Sequence, residues 1–305
     1  MSEFDYDQQY DAGVVADDHL HRAVTELGEP EVLFHVSPAR FLAKLTVGCV
    51  LLLFGGAVNY LWWVHGPARF GHIEFMFLVV PPATGVALFW HMYRNRGLHV
   101  LIYPTGLLRL RRGEVDSLPW ADIRDLRLKV QRTVSAAVTR DEFGNPVDCT
   151  LSADVPSFKL WDGGLTVTRT DGVSASFGPA LSEYPRLAEE VQRRTFAVLW
   201  PAVWDSFRCG HAVAFDDLEL SPAGLRFAQK FLAWKDVKEL VIAQNKLSIK
   251  QHGRWLPWYL KDASSVPNPH VLVALVEEAR RFAPALASIS QPQVPAADHN
   301  GERPV

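Results

Sequence analysis

Two long uncharged segments with a short loop between them are the feature that most limits what this chain can fold into. Residues 45–64 include no charged side chain, and neither do residues 75–93. A helix that crosses the hydrocarbon core of a bilayer needs about 20 apolar residues. Only residues 65–74 connect the two segments. The pattern therefore predicts a two-helix transmembrane hairpin over residues 41–94.

The flanks of these segments favour insertion into a membrane over burial in a soluble core. Aromatic residues end both segments, where an interfacial aromatic belt lies: Trp62, Trp63, Trp90 and Tyr93. Lys and Arg are more frequent outside the loop than within it, which predicts an integral, multi-pass protein of the cell or inner membrane with both termini and all soluble domains in the cytoplasm. Neither segment has an acid or a base near its middle, so we interpret the hairpin as an anchor. Pro81-Pro82 should kink the second helix.

Composition adds little about function. Residues 1–30 carry eight acidic side chains and one basic one, which predicts a disordered acidic tail, and the Ala-, Pro- and Ser-rich residues 284–305 predict a second tail. A net charge of −3 gives no argument for nucleic acid as a partner. The three scattered cysteines indicate neither a disulfide framework nor a zinc site.

After the second apolar segment, short alternating runs between Gly, Pro and Asn turns predict antiparallel strands. They form two soluble units, residues 97–200 and 208–283, each closed by one helix. The first helix starts near Ser182, and Pro201 should bend or end it. Asn268 and Pro269 occupy the N-cap and first positions of the second helix. The combination predicts an α+β chain.

The two units repeat the same landmarks in the same order. Each has a Pro-x-Gly-Leu turn, then the pattern Trp-x-Asp followed by a β-branched residue and a later leucine. So many ordered matches indicate a duplicated module. Its plan is a bent antiparallel sheet with a helix over one open end. The repeat-defining residues are Gly106, Trp120 and Asp122 in the first unit and Gly224, Trp234 and Asp236 in the second.

This pattern resembles the pleckstrin-homology-like (PH-like) superfold in its GRAM and bacterial PH variants, which share the Gly-Leu hairpin and the Trp-acidic-β-branched motif. The whole chain, over roughly residues 26–283, is similar to a family of membrane-anchored PH-like proteins with a domain of unknown function. The resemblance implies two tandem PH-like barrels behind the hairpin and no catalytic residues. The first unit departs from the pattern by a long insertion, residues 133–147.

Basic side chains on the first hairpin occupy the place where phosphoinositide-binding PH domains carry theirs, as the resemblance implies. They are Arg109, Arg111 and Arg112, and Arg127, Lys129 and Arg132 alternate on a later strand. Several converging donors of this kind bind an anionic headgroup. The alternative is an ordinary solvated strand face. We predict weak contact with anionic lipid through the first unit.

Other candidate residues point to packing. Trp120 and Trp234 lie at matching positions and should be core residues. Trp255, Trp258 and Tyr259 form a cluster that belongs to the core or, if exposed, to a partner surface. Four histidines flank the membrane ends without the spacing of a metal or haem site, so we expect neither a metal nor a cofactor: His65, His72, His91 and His99.

No catalytic motif is present in the sequence, and a PH-like fold usually binds rather than catalyses. We therefore predict a membrane-anchored binding or adaptor protein, not an enzyme, that contacts lipid headgroups or a protein partner. One alternative is an accessory or assembly subunit of a membrane enzyme or transporter. A second alternative, a hydrolase, requires a cleft with converging acids, bases and a nucleophile.

Overall fold

The computed structural model describes residues 28–65, 72–112, 114–130, 134–153 and 163–289. Within these ranges the chain has a mixed α+β structure. The helices are α1 Pro38–His65, α2 His72–Arg94, α3 Tyr184–Arg208 and α4 Pro269–Ile289. The strands up to α3 are β1 Val32–His35, β2 Leu98–Ile102, β3 Gly106–Arg111, β4 Glu114–Pro119, β5 Ile123–Lys129, β6 Val134–Arg140, β7 Pro146–Ala153, β8 Gly164–Arg169 and β9 Ser174–Phe177. The strands after α3 are β10 Val213–Phe215, β11 Leu218–Ser221, β12 Gly224–Phe227, β13 Lys230–Ala233, β14 Val237–Ala243, β15 Lys246–Gln251 and β16 Tyr259–Asp262.

The helix pair α1–α2 is a connection between two neighbouring strands. β1 precedes α1 and pairs antiparallel with β2, which follows α2, so that His35 lies opposite His99 and Val32 opposite Ile102. β3 and β4 continue this sheet in the order β1-β2-β3-β4. The start of α1 and the end of α2 therefore lie at the same end of one antiparallel sheet.

Some elements of the two halves correspond, although the first half also contains the helix pair α1–α2 and the hairpin β6–β7. A four-stranded sheet, β1–β4 or β10–β13, is followed by a single 3-10 turn, Trp120–Asp122 or Trp234–Asp236. A strand that starts with a register shift comes next, at Ile123/Asp125 in β5 and at Val237/Glu239 in β14. These strands pair with β8 and β15, and a long helix ends each half.

The predicted pair of closed barrels is wrong. The described strands form four small open sheets, and one of them, in the order β16-β15-β14-β6-β7, contains strands from both halves. The link is the hairpin β6–β7, which lies where the sequence predicted an insertion in the first unit. Val134 of this hairpin pairs with Ile242 at the edge of β14. The hairpin thus extends the second half's sheet instead of closing the first half on itself.

One apolar core runs through both halves. It includes buried side chains of the β1–β4 sheet such as Val100, of α3 such as Phe196, and of α4 such as Leu275. An aromatic stack along α3 joins them: Phe196 to Trp200 at 5.2 Å, Trp200 to Trp204 at 5.4 Å and Trp204 to Phe207 at 5.9 Å between ring centroids. Phe207 then meets the edge of Trp234 in the second half.

This stack explains why Pro201 does not end α3, as the sequence had suggested. The helix continues through Pro201 to Arg208. Proline in a helix interior costs about 3 kcal/mol because a hydrogen bond is lost. Trp200 and Trp204 stack across the proline and bury large ring surfaces, which offsets that cost.

The predicted transmembrane hairpin, and with it the multi-pass localisation, is also wrong. Among the described residues, one helix is long and apolar enough to cross a membrane, Phe41–Val64, with a mean hydropathy of 2.1. The partner helix α2 carries Glu74 near its start, two internal prolines and His91 near its end. The two internal prolines remove backbone hydrogen-bond donors from α2, and α2 is not among the described helices that have the length and composition of a membrane crossing.

The predicted tails lie mostly outside the described residues, which begin at residue 28 and end at residue 289. Helix α4 extends to Ile289, beyond the start that was predicted for the second tail. The domain boundaries proposed at residues 200 and 208 stay a prediction.

Candidate membrane-facing site

Small residues let α1 and α2 pack closely. A side chain on Gly55 would place its Cβ 2.7 Å from Cδ of Pro82, and one on Gly85 would lie 2.9 Å from Cγ of Leu52. Gly48 faces the ring of Phe89 in the same way. This is the small-residue packing that close helix pairs use. The polar Asn59 donates from Nδ2 to the carbonyl of Gly55 at 2.8 Å, one turn earlier in the same helix.

The outward face of α1 is apolar and exposed. Only 17% of its most apolar window is buried, and Leu53 and Trp63 expose 75% and 77% of their surface. A core helix of a soluble protein is mostly buried, and contiguous exposed apolar surface marks contact with a membrane or a partner. The exposed residues follow the whole helix: Leu42, Val47, Val50, Leu53, Phe54, Tyr60, Leu61, Trp62, Trp63 and Val64.

The three arginines predicted to bind a headgroup lie on β3 and its turn, and all three interact with other groups of the protein. Arg109 is largely buried and forms an ion pair with Asp116 on β4 at 3.5 Å. Arg112 has a left-handed backbone with φ 52° and lies over the ring of Tyr93, 4.0 Å from its centroid. It also donates to the carbonyl oxygen of Tyr93 at the end of α2. Arg111 is partly buried on the same strand.

The later basic strand does not join them in one sheet. Arg127 and Lys129 share the exposed face of β5, which pairs with β8 in the β5-β8-β9 sheet. Arg132 lies outside the described residues. The predicted set is therefore split between two sheets, and headgroup contact through it stays a prediction.

Arg109 and Arg111 share a face of β3 with the core residue Leu107, because alternate residues of a strand lie on the same side. The opposite face of β3 is also buried. Leu108 and Leu110 pack with Leu101 and Tyr103 in a second, smaller apolar cluster on the opposite face. The alternation of leucine and arginine in the sequence thus distinguishes two buried faces, not a core face and a solvent face.

A different group of polar residues meets where the helix pair joins the sheet. Lys44 of α1 is 6% exposed and lines a small cavity with His91 and Asn95 at the end of α2. Nδ2 of Asn95 lies within hydrogen-bond distance of Nε2 of His91, at 3.0 Å. The remaining lining residues are Val36, Phe41, Met92 and Ala180.

The loop before α3 closes this junction from the other side. The amide of Ser37 donates to the carbonyl of Ala180 at 3.0 Å, and the amide of Ser182 donates to the carbonyl of His35 at 2.7 Å. On the adjoining strand, burial and then the nearby His35 lower the pKa of His99. This junction was not predicted from the sequence. The available signal was a lysine one turn inside an apolar segment, paired with a His-x-x-x-Asn spacing at the far segment's end.

The repeat-defining residues have structural roles that match between the halves. The indole of Trp120 donates to the carbonyl of Tyr103 at 3.1 Å, and that of Trp234 to the carbonyl of Ser221 at 2.9 Å. Gly106 pairs with Pro119, immediately before Trp120, and Gly224 pairs with Ala233, immediately before Trp234. The backbone carbonyls of Asp122 and Asp236 each accept one amide at 2.9 Å. Both tryptophans are buried.

The aromatic cluster of the second half divides into a core part and an exposed part. Tyr259 is buried, and its ring meets the edge of Phe227 at 4.9 Å, while Trp258 is partly buried against the same ring. Trp255 is 94% exposed. Leu256, Leu260 and Phe231 are also exposed, which leaves apolar side chains in the loop after β15, on β16 and on β13.

Within the described ranges, no three His, Cys, Asp or Glu side chains are grouped so that they could hold a metal ion. Cys149 lies in the core, and burial raises the pKa of its thiol to about 12. A thiol in that environment stays protonated and is not a nucleophile at neutral pH.

Comparison with known proteins gives one match. A family model described as "Family of unknown function (DUF6585)" matches residues 162–284. No curated protein and no solved structure gives a significant match. The matched residues include β8, β9, α3 and the whole second half through most of α4. The predicted similarity to a family of unknown function is therefore confirmed, and the match carries no information on a PH-like membrane family.

Proposed function

We propose that this protein is a membrane-attached binding or adaptor protein, in which α1 attaches the chain to a bilayer and the α+β body presents a binding surface. The exposed apolar face of α1 carries this proposal. Leaving so many large apolar side chains in water costs about 25 cal/mol per Å² of apolar surface. Insertion of Phe41–Val64 into a bilayer removes that cost.

The finer likeness to GRAM-like and bacterial PH-like proteins is part of this proposal. It is supported by the elements that both halves share: a four-stranded sheet, a Trp-x-Asp turn, a bulged strand and a closing helix. Folds of that kind bind peptides or headgroups at sheet edges and between strand and helix. The binding role, rather than catalysis, rests on this likeness and on the lack of a catalytic motif in the sequence.

Alkaline carbonate extraction of membranes that contain the full-length protein tests attachment through α1. The wild-type chain should stay in the pellet and need detergent for release. A double substitution on the exposed face, Val50→Lys with Leu53→Lys, should release it, because each lysine near a helix centre costs about 2.5–3.5 kcal/mol of insertion free energy. The matched control is Phe143→Lys with Val147→Lys, two exposed apolar residues of the body. Release of the wild type by carbonate alone would contradict the proposed attachment to the membrane.

The second candidate is an accessory subunit of a membrane enzyme or transporter, favoured by the exposed Trp255 and its apolar neighbours. Tryptophan is enriched among interface hot spots, and exposed apolar neighbours of this kind mark a contact surface. Purification in detergent separates the candidates. A stoichiometric membrane protein that accompanies the wild type and is lost from Trp255→Ser would favour the subunit. If the Trp255→Ser variant still retains the partner protein, the surface around Trp255 is not the binding site for that partner.

A further inference from the structure

The second half of α3 has an exposed face with an uncharged stretch. Residues 195–204 include no charged side chain. Arg194 precedes this stretch and Asp205 and Arg208 follow it at helical spacing, so that all three lie on one face of the helix. The solvent-facing side of a surface helix normally carries charged and polar residues. This surface, called the α3 face, is therefore suited to an apolar partner. Between its charged ends the exposed residues are Ala197, Val198, Pro201 and Ala202.

Strand β1 leads the chain to the start of the α3 face. Val36, which follows β1, forms a bridge with Leu181, just before α3 begins. Closer to the N-terminus, Glu31 forms an ion pair with Arg194, almost three turns into α3. The chain therefore approaches the second half of α3 as it is followed back towards its N-terminus. The residues that precede the described part of the chain start beside the α3 face.

The sequence before Gly28 has apolar residues at the spacing of one helical face. In residues 16–27 they recur at intervals of three and four, and every other position is polar. Gly28 has a φ of 90°, in the left-handed region where glycine commonly ends a helix. At about 1.5 Å per residue, such a segment spans about 18 Å and the α3 face about 21 Å, so the two lengths match. The apolar residues of the segment are Ala16, Leu20, Ala23, Val24 and Leu27.

Charge complements this match in length. A segment that starts with Leu27 beside Ala197 runs antiparallel to the rest of α3. Its acidic residues 17–18, about ten positions earlier, then reach Arg208 at the far end of the α3 face. Opposite charges orient such an association. Asp205 lies one turn before Arg208 and partly opposes the attraction, so apolar contact supplies most of the affinity.

We propose that the α3 face binds residues 16–27 of the same chain, with Leu20, Val24 and Leu27 against its uncharged stretch. Between separate molecules so short a contact would be weak. The segment continues directly into the described chain, however, and a short connection gives an effective concentration in the millimolar range. The acidic composition that predicted a disordered tail is compatible with this, because segments of that kind fold on binding. The proposal does not depend on attachment of α1 to a bilayer.

Hydrogen–deuterium exchange of the full-length protein in detergent tests the contact. A lone helix of this length is marginal in water, so residues 20–27 should exchange at least about tenfold more slowly than in a synthetic peptide of the segment only if they are bound. Val198→Asp should remove this protection, because it places a carboxylate in the apolar contact. Leu20→Asp, in the segment itself, should have the same effect. Val173→Asp, at an exposed valine between β8 and β9, is the matched control and should leave the protection unchanged.

A photo-cross-linker identifies what covers the α3 face. With p-benzoylphenylalanine in place of Val198, the cross-link should join residues 16–27 of the same molecule, and a mixture of isotopically labelled and unlabelled protein separates this from a link to a second copy. Fast exchange of the segment in the wild type overturns the proposal. Protection that survives Val198→Asp, or that is lost equally in Val173→Asp, also overturns it. Cross-links to a second copy or to another part of the chain would show that the α3 face has a different partner, which contradicts it as well.

Discussion

Gln192 on α3 hydrogen-bonds both backbone groups of Leu151 on β7. Its Oε1 accepts from the amide of Leu151 at 2.9 Å, and its Nε2 donates to the carbonyl of Leu151 at 3.4 Å. β7 is an edge of the five-stranded sheet that both halves share. Because an unpaired edge is a template for association with other strands, a helix side chain here takes the place of the missing neighbour.

Replacing Gln192 with methionine should lower the free energy of unfolding. The change keeps the side-chain length but leaves two buried backbone groups of Leu151 without their partner, at a cost of about 1–3 kcal/mol. Urea unfolding of the full-length protein in detergent, followed by tryptophan fluorescence, measures this. Gln229→Met, at an exposed turn, is the control and should change little. Equal stability of both variants would mean that the Gln192 contacts contribute nothing.

Asn268 protects β5 in a similar way. Its Oδ1 accepts from the amide of Leu126 at 2.7 Å, and its Nδ2 donates to the carbonyl of Arg124 at 3.0 Å. The sequence predicted Asn268 as the side-chain cap of α4, but these bonds use its carboxamide on the first half. These bonds attach the start of α4 to β5 in the first half.

The substitution Asn268→Gly separates backbone strain from these bonds. Asn268 has a φ of 50°, which glycine adopts readily, so only the two side-chain hydrogen bonds are lost. We expect a loss of about 1–3 kcal/mol in unfolding free energy. Gln244→Gly is the matched control, since Gln244 has a φ of 51° and an exposed side chain. That variant should be neutral or slightly more stable, and a similar loss in both would show that backbone freedom dominates.

Local patterns predicted the local structure well. Glycine turns were expected between the short strands, and Gly172, in the turn between β8 and β9, has a φ of 88°. Pro269 begins α4 as predicted. These features depend on the conformations that glycine and proline allow, which are properties of single residues and are therefore visible in the sequence.

Long-range pairing could not be predicted in the same way. The run of small and polar residues in β6 lacks an apolar alternation, so neither this strand nor its pairing with β14 was expected. On α3 the apolar Val198 is exposed, whereas the polar Thr195 is fully buried beside His270. The junction site depends on β1 pairing with β2 across the whole helix pair. Each of these features is set by a partner distant in the chain.

His270 is a neutral base in the interface between α3 and α4. The hydroxyl of Thr195 donates to the carbonyl of Val191 at 2.7 Å, so its oxygen accepts from Nε2 of His270 at 3.2 Å. Nδ1 of this ring is buried and has no hydrogen-bond partner among the described residues. Burial lowers the pKa of His270 to about 3.

Stability should therefore fall when the pH is lowered below about 6.5, the ordinary pKa of histidine. In that range the unfolded chain binds a proton that the folded chain excludes, and the loss approaches about 1.4 kcal/mol per pH unit until the pH nears 3. His270→Gln should flatten this part of the profile, whereas His252→Gln, at an exposed turn, should not. Urea unfolding at pH 7, 6 and 5 in detergent measures it, and an unchanged slope in His270→Gln would contradict the assignment.

Arg140 on β6 links the β6–β7 hairpin to α4 through ion pairs. It forms ion pairs with Glu277 at 2.9 Å and with the almost fully buried Glu278. Burial opposes its charge, but the hydrogen bonds that it donates to Glu278 and Glu277 hold the pKa of the guanidinium above its ordinary value. Arg140→Met should cost about 3–5 kcal/mol of unfolding free energy, because it leaves a buried carboxylate without its main partner. Arg186→Met breaks the exposed ion pair of Arg186 with Glu183, at 3.0 Å, and should cost about 0–1 kcal/mol. A similar small cost for Arg140→Met would contradict the prediction.

Gly224 is required by close approach of the backbone in the second half. A Cβ at this position would lie 2.3 Å from the carbonyl oxygen of Leu232, on the strand that leads into Trp234. Gly224→Ala must therefore move β13 away from β12, at a cost of about 1–3 kcal/mol. Gly178→Ala is the control, because the space around Gly178 is open within 4 Å. Thermal unfolding of both variants in detergent should show a lower midpoint for Gly224→Ala alone. Equal midpoints would show that the hairpin tolerates a side chain here.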